Sequence, residues 1–148
     1  MCTGSELDPH HLDRFVAAQA DCYERVLAEL RAGRKRSHWM WFIFPQFAGL
    51  GLSEMSQRYA IRSFEEAQAY LRRPLLGSRL VECVEAVLAL EGRSAYDIFG
   101  SPDDLKLHSS ATLFAQITPP DSCFRKLLDK YFAGEPDART LELLNSAT

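Results

Sequence analysis

No stretch of this sequence reaches the roughly 18 consecutive apolar residues that a membrane-spanning helix needs. The opening "MCTGSELDPHH" lacks the basic-then-apolar order of a secretory signal. A cytoplasmic protein without membrane association is therefore expected. Cysteine is sparse: Cys2, Cys22, Cys83 and Cys123 are far apart and form no C-x-x-C pair. In an intracellular chain that pattern indicates reduced, structural thiols. Of the histidines, His10 and His11 are adjacent, and adjacent positions on a helix point in different directions, so they make a poor metal pair. No metal and no cofactor are expected. Nor is there an excess of positive charge, since the formal net charge is −3, which argues against nucleic acid as a partner of the whole surface. Ser-His-Asp order, H-E-x-x-H and G-x-S-x-G are all missing. The segment "FAGLGLS" (47–53) has neither the lysine of a P-loop nor the strand of a dinucleotide fingerprint, so it is read as a turn.

What the chain does have is a globular balance and frequent helical punctuation. With 148 residues, 47% of them hydrophobic and 25% charged, one domain over 1–148 is expected, with 1–7 as a flexible lead. Asp8-Pro9 reads as a helix start, followed by one long amphipathic run through Leu12, Phe15, Val26 and Leu30 to Gly33. Ser63 and Glu66 have the spacing of a capping box for a helix reaching about Arg72. Pro74 opens the next, with Leu76, Leu80, Cys83, Val87 and Leu90 as its stripe. A short turn of helix is predicted over 94–99. Ser101-Pro102-Asp103-Asp104 starts a further helix reaching about Ile117, Asp121 caps another that Gly134 stops, and Asp137 begins the last. Period-two alternation is nearly absent. The predicted fold is all-α, a single compact domain of about seven helices around a central aromatic segment.

Three segments could carry chemistry. "SHWMWFIFPQ" (37–46) is apolar on every side whether helical or extended, so it must be surrounded by protein. Its two indoles still need hydrogen-bond partners, and His38 and Gln46 place polar heads at both ends. That composition suits a core and equally a pocket lining. In "SPDDLKLHSSATLF" (101–114), helical spacing puts Asp103, Lys106 and Ser110 on the face of Leu107, Leu113 and Phe114, with Asp104, His108 and Thr112 opposite. Charges on an inward face call for pairing or for a ligand. Arg31, Arg34, Lys35 and Arg36 are either cations at a helix C-terminus or an anion site beside the aromatic block.

The blocks "SHWMWFIFPQFAGLG", "YAIRSFEEAQAYLRRPLLGSRLVECVEAVL" and "IFGSPDDLKLHSSATLF", in that order, resemble the signature of a bacterial family known as domain of unknown function 1810, whose members are sometimes mislabelled calpastatin. Ala111 stands where that family usually has methionine. The resemblance implies a compact, mainly helical domain and brings no catalytic assignment. In size, helical content and its mix of tryptophan with acid and lysine, the chain is also similar to NADAR domains, which remove ADP-ribose from nucleic-acid bases, although no block aligns.

Together these readings favour a small-ligand site for a nucleotide or ADP-ribose-like molecule, either binding or hydrolytic. Trp39 or Trp41 would stack on a base, and Lys106 with Arg34 or Arg36 would meet phosphate. His38, Gln46 and Ser110 would complete the lining, and Asp103 would stabilise an oxocarbenium-like centre or activate water. The alternatives are a protein-interaction module without activity, its partner unspecified, and nucleic-acid binding through Arg31–Arg36.

Overall fold

A computed structural model describes residues 8–147. The flexible lead expected at 1–7, and Cys2 with it, lie outside those residues. Ten helices form among them: α1 (Asp13–Ala20), α2 (Tyr23–Arg31), α3 (Met40–Ile43), α4 (Glu54–Arg58), α5 (Phe64–Arg72), α6 (Pro74–Leu88), α7 (Ala95–Phe99), α8 (Asp103–Ala115), α9 (Cys123–Tyr131) and α10 (Ala138–Ala147). The seven elements expected from the sequence correspond to eight of these, the first being divided into α1 and α2, with the short turns α3 and α4 besides. No described helix is long and apolar enough to cross a membrane.

Local chemistry sets most of the boundaries. The Asp8 carboxylate accepts from the Leu12 and Asp13 N–H groups at 2.7 and 2.8 Å, so it holds the start of α1 from one turn upstream, with Pro9 in that turn. Ser63 accepts from the Glu66 N–H at 3.0 Å. The Glu66 carboxylate does not reach back to Ser63, as a full capping box would require, but to the Arg62 N–H at 2.9 Å and to Arg14 at 2.8 Å. The complete capping box is at α7, between Ser94 and Asp97. Ser122, one residue after the predicted Asp121, caps α9.

Two expectations are corrected. The single helix foreseen from Leu12 to Gly33 is two, because the Cys22 N–H turns tightly onto the Gln19 carbonyl at 3.2 Å. The break lets buried Gln19 donate to the Phe42 carbonyl at 2.7 Å and turns Tyr23 toward Glu82 on α6. The second correction concerns α8. It ends at Ala115, short of Ile117, and every residue from Ser109 to Ala115 is buried. A helix packed against α7, α9 and α10 has no solvent face there. Thr112, expected to point outward, donates to the His108 carbonyl and accepts from the Asp137 N–H, each at 2.8 Å, which ties α8 to the start of α10.

The aromatic segment threads this helical shell. It makes one helical turn, α3, then runs extended through Phe44, Pro45 and Gln46 into a parallel bridge between Phe47 and Ile61. Ladder bonds from Ala48 N–H to Ile61 O (2.8 Å) and from Ile61 N–H to Gln46 O (2.9 Å) fix where Gln46 sits. Met40, Phe42, Ile43, Phe44 and Phe47 are all core residues, as a segment apolar on every side must be.

Candidate functional site

The two tryptophans are placed differently, and the cause is one carboxylate. Buried Glu29, near the end of α2, accepts from the Arg36 N–H at 2.8 Å, the Ser37 N–H at 3.2 Å, the Ser37 hydroxyl at 2.6 Å and the Trp39 indole at 2.9 Å. Burial alone would raise the Glu29 pKa, but these donors outweigh it and hold the carboxyl below its ordinary value. Trp39 is thereby committed to the core: it is 1% exposed, its N–H is satisfied, and its ring edges meet Phe44 and Phe99. Trp41 is only half-buried, and its indole makes no hydrogen bond among the described residues. The Lys106 ammonium lies 5.4 Å from the centre of its ring.

Lys106 belongs to a three-member charge cluster at the start of α8. Asp103 offers one oxygen to the Lys35 ammonium at 2.9 Å and the other to Lys106 at 3.6 Å. The Lys35 side chain is only 8% exposed, and the other two are about one-fifth exposed. Two ammonium groups therefore share one carboxylate. Of the neighbouring acids, Asp104 accepts from the Leu105 N–H at 2.9 Å and Asp137 caps α10 through the Thr140 N–H at 3.0 Å, and among the described residues neither forms an ion pair with a lysine. Within the cluster two cations face one anion, and the N-terminal end of α8 adds positive potential, while Asp137 keeps its negative charge on the cavity wall.

That charge borders a cavity of about 340 Å3 between the 46–51 segment, the first turns of α8 and the start of α10. Gln46 reaches into it and donates to the Ser109 hydroxyl at 2.6 Å. Arg139 and Asp137 stand on the far wall, and Leu50, Pro102 and Leu105 supply apolar surface. Two larger grooves, about 600 and 530 Å3, lie beside Pro9 and His10. Their central charges are already matched, Arg14 with Glu66, and Arg73 with Asp8 and Asp13.

Of the residues singled out from sequence, Gln46 and Lys106 line the cavity, and Asp103 and Trp41 each lie against Lys106. Ser110 is 1% exposed and faces the core; Ser109, one position earlier, presents its hydroxyl to the cavity instead. His38 is exposed and does not line the cavity. Arg34 lines a separate groove, and Arg36 is exposed with its backbone N–H held by Glu29. Sequence reasoning missed Arg139; it named Ser109 only as a reinforcement of Ser110, and Lys35 only as one of the basic run. Lys35 sits in the basic run already noted, but nothing local distinguishes the middle cation of three in a loop. The thiols are not activated: burial raises Cys22 and Cys123, and pushes Cys83 up to about 12. Among the described residues, no group of three or more His, Cys, Asp or Glu is placed to hold a metal ion.

Comparison with known proteins adds the following. A family model described as a protein of unknown function (DUF1810) matches residues 9–144. The crystal structure of the conserved hypothetical protein Rv1873 from Mycobacterium tuberculosis is 58% identical, with a TM-score of 0.91, over 93% of this chain and 99% of that one. No curated protein matches.

Proposed function

The chain belongs to the DUF1810 family, and from the geometry of its cleft we propose that it binds a small anionic ligand of the nucleotide or ADP-ribose kind. The observation that carries this reading is the Lys35–Asp103–Lys106 cluster, in which two ammonium groups share one carboxylate at the edge of an open cavity. A partly buried surplus charge is costly until an anion reaches it. In this reading Lys106 meets phosphate, joined by Arg139 once it leaves its exposed pair with Glu142 at 3.5 Å, while Trp41 stands against Lys106 with an open N–H. Gln46 and Ser109 orient hydroxyl groups. Asp103 has both oxygens against ammonium groups, so it serves as the anchor that positions the lysines. Two cations beside it would oppose an oxocarbenium-like centre, which favours binding over glycoside hydrolysis.

The test is a melting-temperature and tryptophan-fluorescence titration with AMP, ADP, NAD and ADP-ribose. At least one should raise the melting temperature and quench emission. Lys106→Ala should abolish the shift without loss of helical signal, and Trp41→Phe should remove the quench while Trp39 still fluoresces. A complete panel without any shift would sink the proposal. One observation favours a second reading, an interaction module: Leu105 lines the cleft yet is 61% exposed. A partner lost on Leu105→Asp, in a protein that shows no nucleotide shift, would select that reading.

A further inference from the structure

A second groove, about 430 Å3, runs between the 34–36 loop and α7, and its charged groups are not accounted for by the cleft. Arg34 and Arg93 line it, and among the described residues neither guanidinium forms an ion pair or a hydrogen bond. The third cation, Lys35, contributes its backbone here while its ammonium is spent on Asp103. The acid in the groove is Asp97. It is occupied by the capping box of α7, where its carboxylate accepts from the Ser94 N–H at 2.9 Å. The bonds to Ser94 and the nearby Arg93 charge hold its pKa below the ordinary value.

The bland explanation, cations facing the carbonyl end of α2, covers Arg34 but not the rest. Arg93 comes from the loop before α7, and its side chain lies flat over Gly33. A Cβ at that glycine would sit 2.9 Å from the Arg93 Nε, and the backbone there has a φ of +82°. The positive φ of that turn favours glycine, and the missing side chain leaves room for the flexible Arg93 chain to lie against it. Tyr96, on the groove wall, is 63% exposed, with its ring stacked on nothing among the described residues. The two walls are braced by the Lys35 N–H donating to the Ile98 carbonyl at 2.8 Å.

We infer that this groove is a second binding site, separate from the cleft, for a nucleotide unit: a phosphate between Arg34 and Arg93, with the base against Tyr96. Guanidinium groups suit phosphate oxygens, and an exposed tyrosine face accepts any base. The unit has two possible sources, a free nucleoside phosphate or one residue of a single strand.

The experiment is a binding titration of the full chain with AMP, inorganic phosphate and a fluorescent single-stranded RNA of about ten nucleotides. With the cleft disabled by Lys106→Ala, Arg34→Gln with Arg93→Gln should weaken the remaining nucleotide binding by about tenfold or more, and Tyr96→Ala by about fivefold or more. Tyr96→Phe should restore binding, because stacking needs the ring and not the hydroxyl. Lys106→Ala, which disables the cleft, should leave this site unchanged, so the two proposals fail separately. Tighter binding of the strand, with a log–log salt slope near about −1.4 for two phosphate contacts, identifies the strand as source. Binding of AMP alone identifies the free nucleotide. Arg34→Gln by itself, a side chain with no partner to lose, keeps the test readable if the double variant unfolds. Binding that survives Arg34→Gln and Tyr96→Ala unchanged, equal competition by inorganic phosphate, or no binding of either nucleotide probe overturns the inference.

Discussion

At the scale of single residues, Glu29 decides the most. Its four hydrogen bonds fold the 36–39 loop back onto α2 and bury Trp39, which leaves Trp41 as the half-buried indole beside Lys106. A carboxylate whose folded-state pKa lies below its unfolded value contributes stability that is complete above the ordinary value of about 4.5 and is lost as pH falls through the lower, folded value. Glu29→Gln should therefore be less stable at neutral pH by ~1–3 kcal/mol and should show a flatter acid limb. Urea denaturation of both proteins between pH 7 and pH 3 measures this, and parallel acid limbs would refute it. Asp103 admits a similarly direct test. If it anchors the lysines and does not touch ligand, Asp103→Asn should cost ~1–3 kcal/mol of stability yet tighten binding of ADP-ribose or AMP, because a competing anion is gone. Weaker binding would instead place Asp103 in contact with the ligand.

At the scale of elements, the joint between α5 and α6 shows how closely the helices approach. Gly77, in the first turns of α6, lies so near the end of α5 that a Cβ there would meet the Leu71 carbonyl oxygen at 2.1 Å. That neighbour is backbone and cannot swing away. Gly77→Ala should cost ~1–3 kcal/mol despite its better helix propensity, as chemical denaturation would show. Helix identity was largely legible in the sequence, because proline at α6, serine caps at α5 and apolar spacing act over three or four residues. The errors fell where distant contacts intervene. The turn at Cys22 exists so that Gln19 can meet Phe42, 23 positions on. The burial of Thr112 follows from α10 docking across α8, a partner that no helical wheel contains.

At the scale of the whole molecule, the cleft is assembled from the 46–51 segment, the first turns of α8 and the start of α10, with Lys35 reaching Asp103 beside it. The Gln46–Ser109 bond joins residues 63 apart in the chain. The residue types of the site were readable from the sequence: an acid and a lysine on an inward helical face, and an aromatic run closed by glutamine. The membership of the cleft was not, since Ser109 and Ser110 differ by a single 100° step. Which of them lines the cavity depends on how α8 packs against its neighbours. The sequence by itself determined an all-α protein with a central aromatic segment, because capping, proline placement and hydrophobic period are local energies. Only the packing of elements against one another put Trp39 in the core and left Trp41 half-buried against Lys106, gave Lys35 a share of Asp103 with Lys106, and turned Arg34 into another groove. Each of those outcomes rests on side chains meeting across elements, and the chain order of the residues does not encode the packing angles that bring them together.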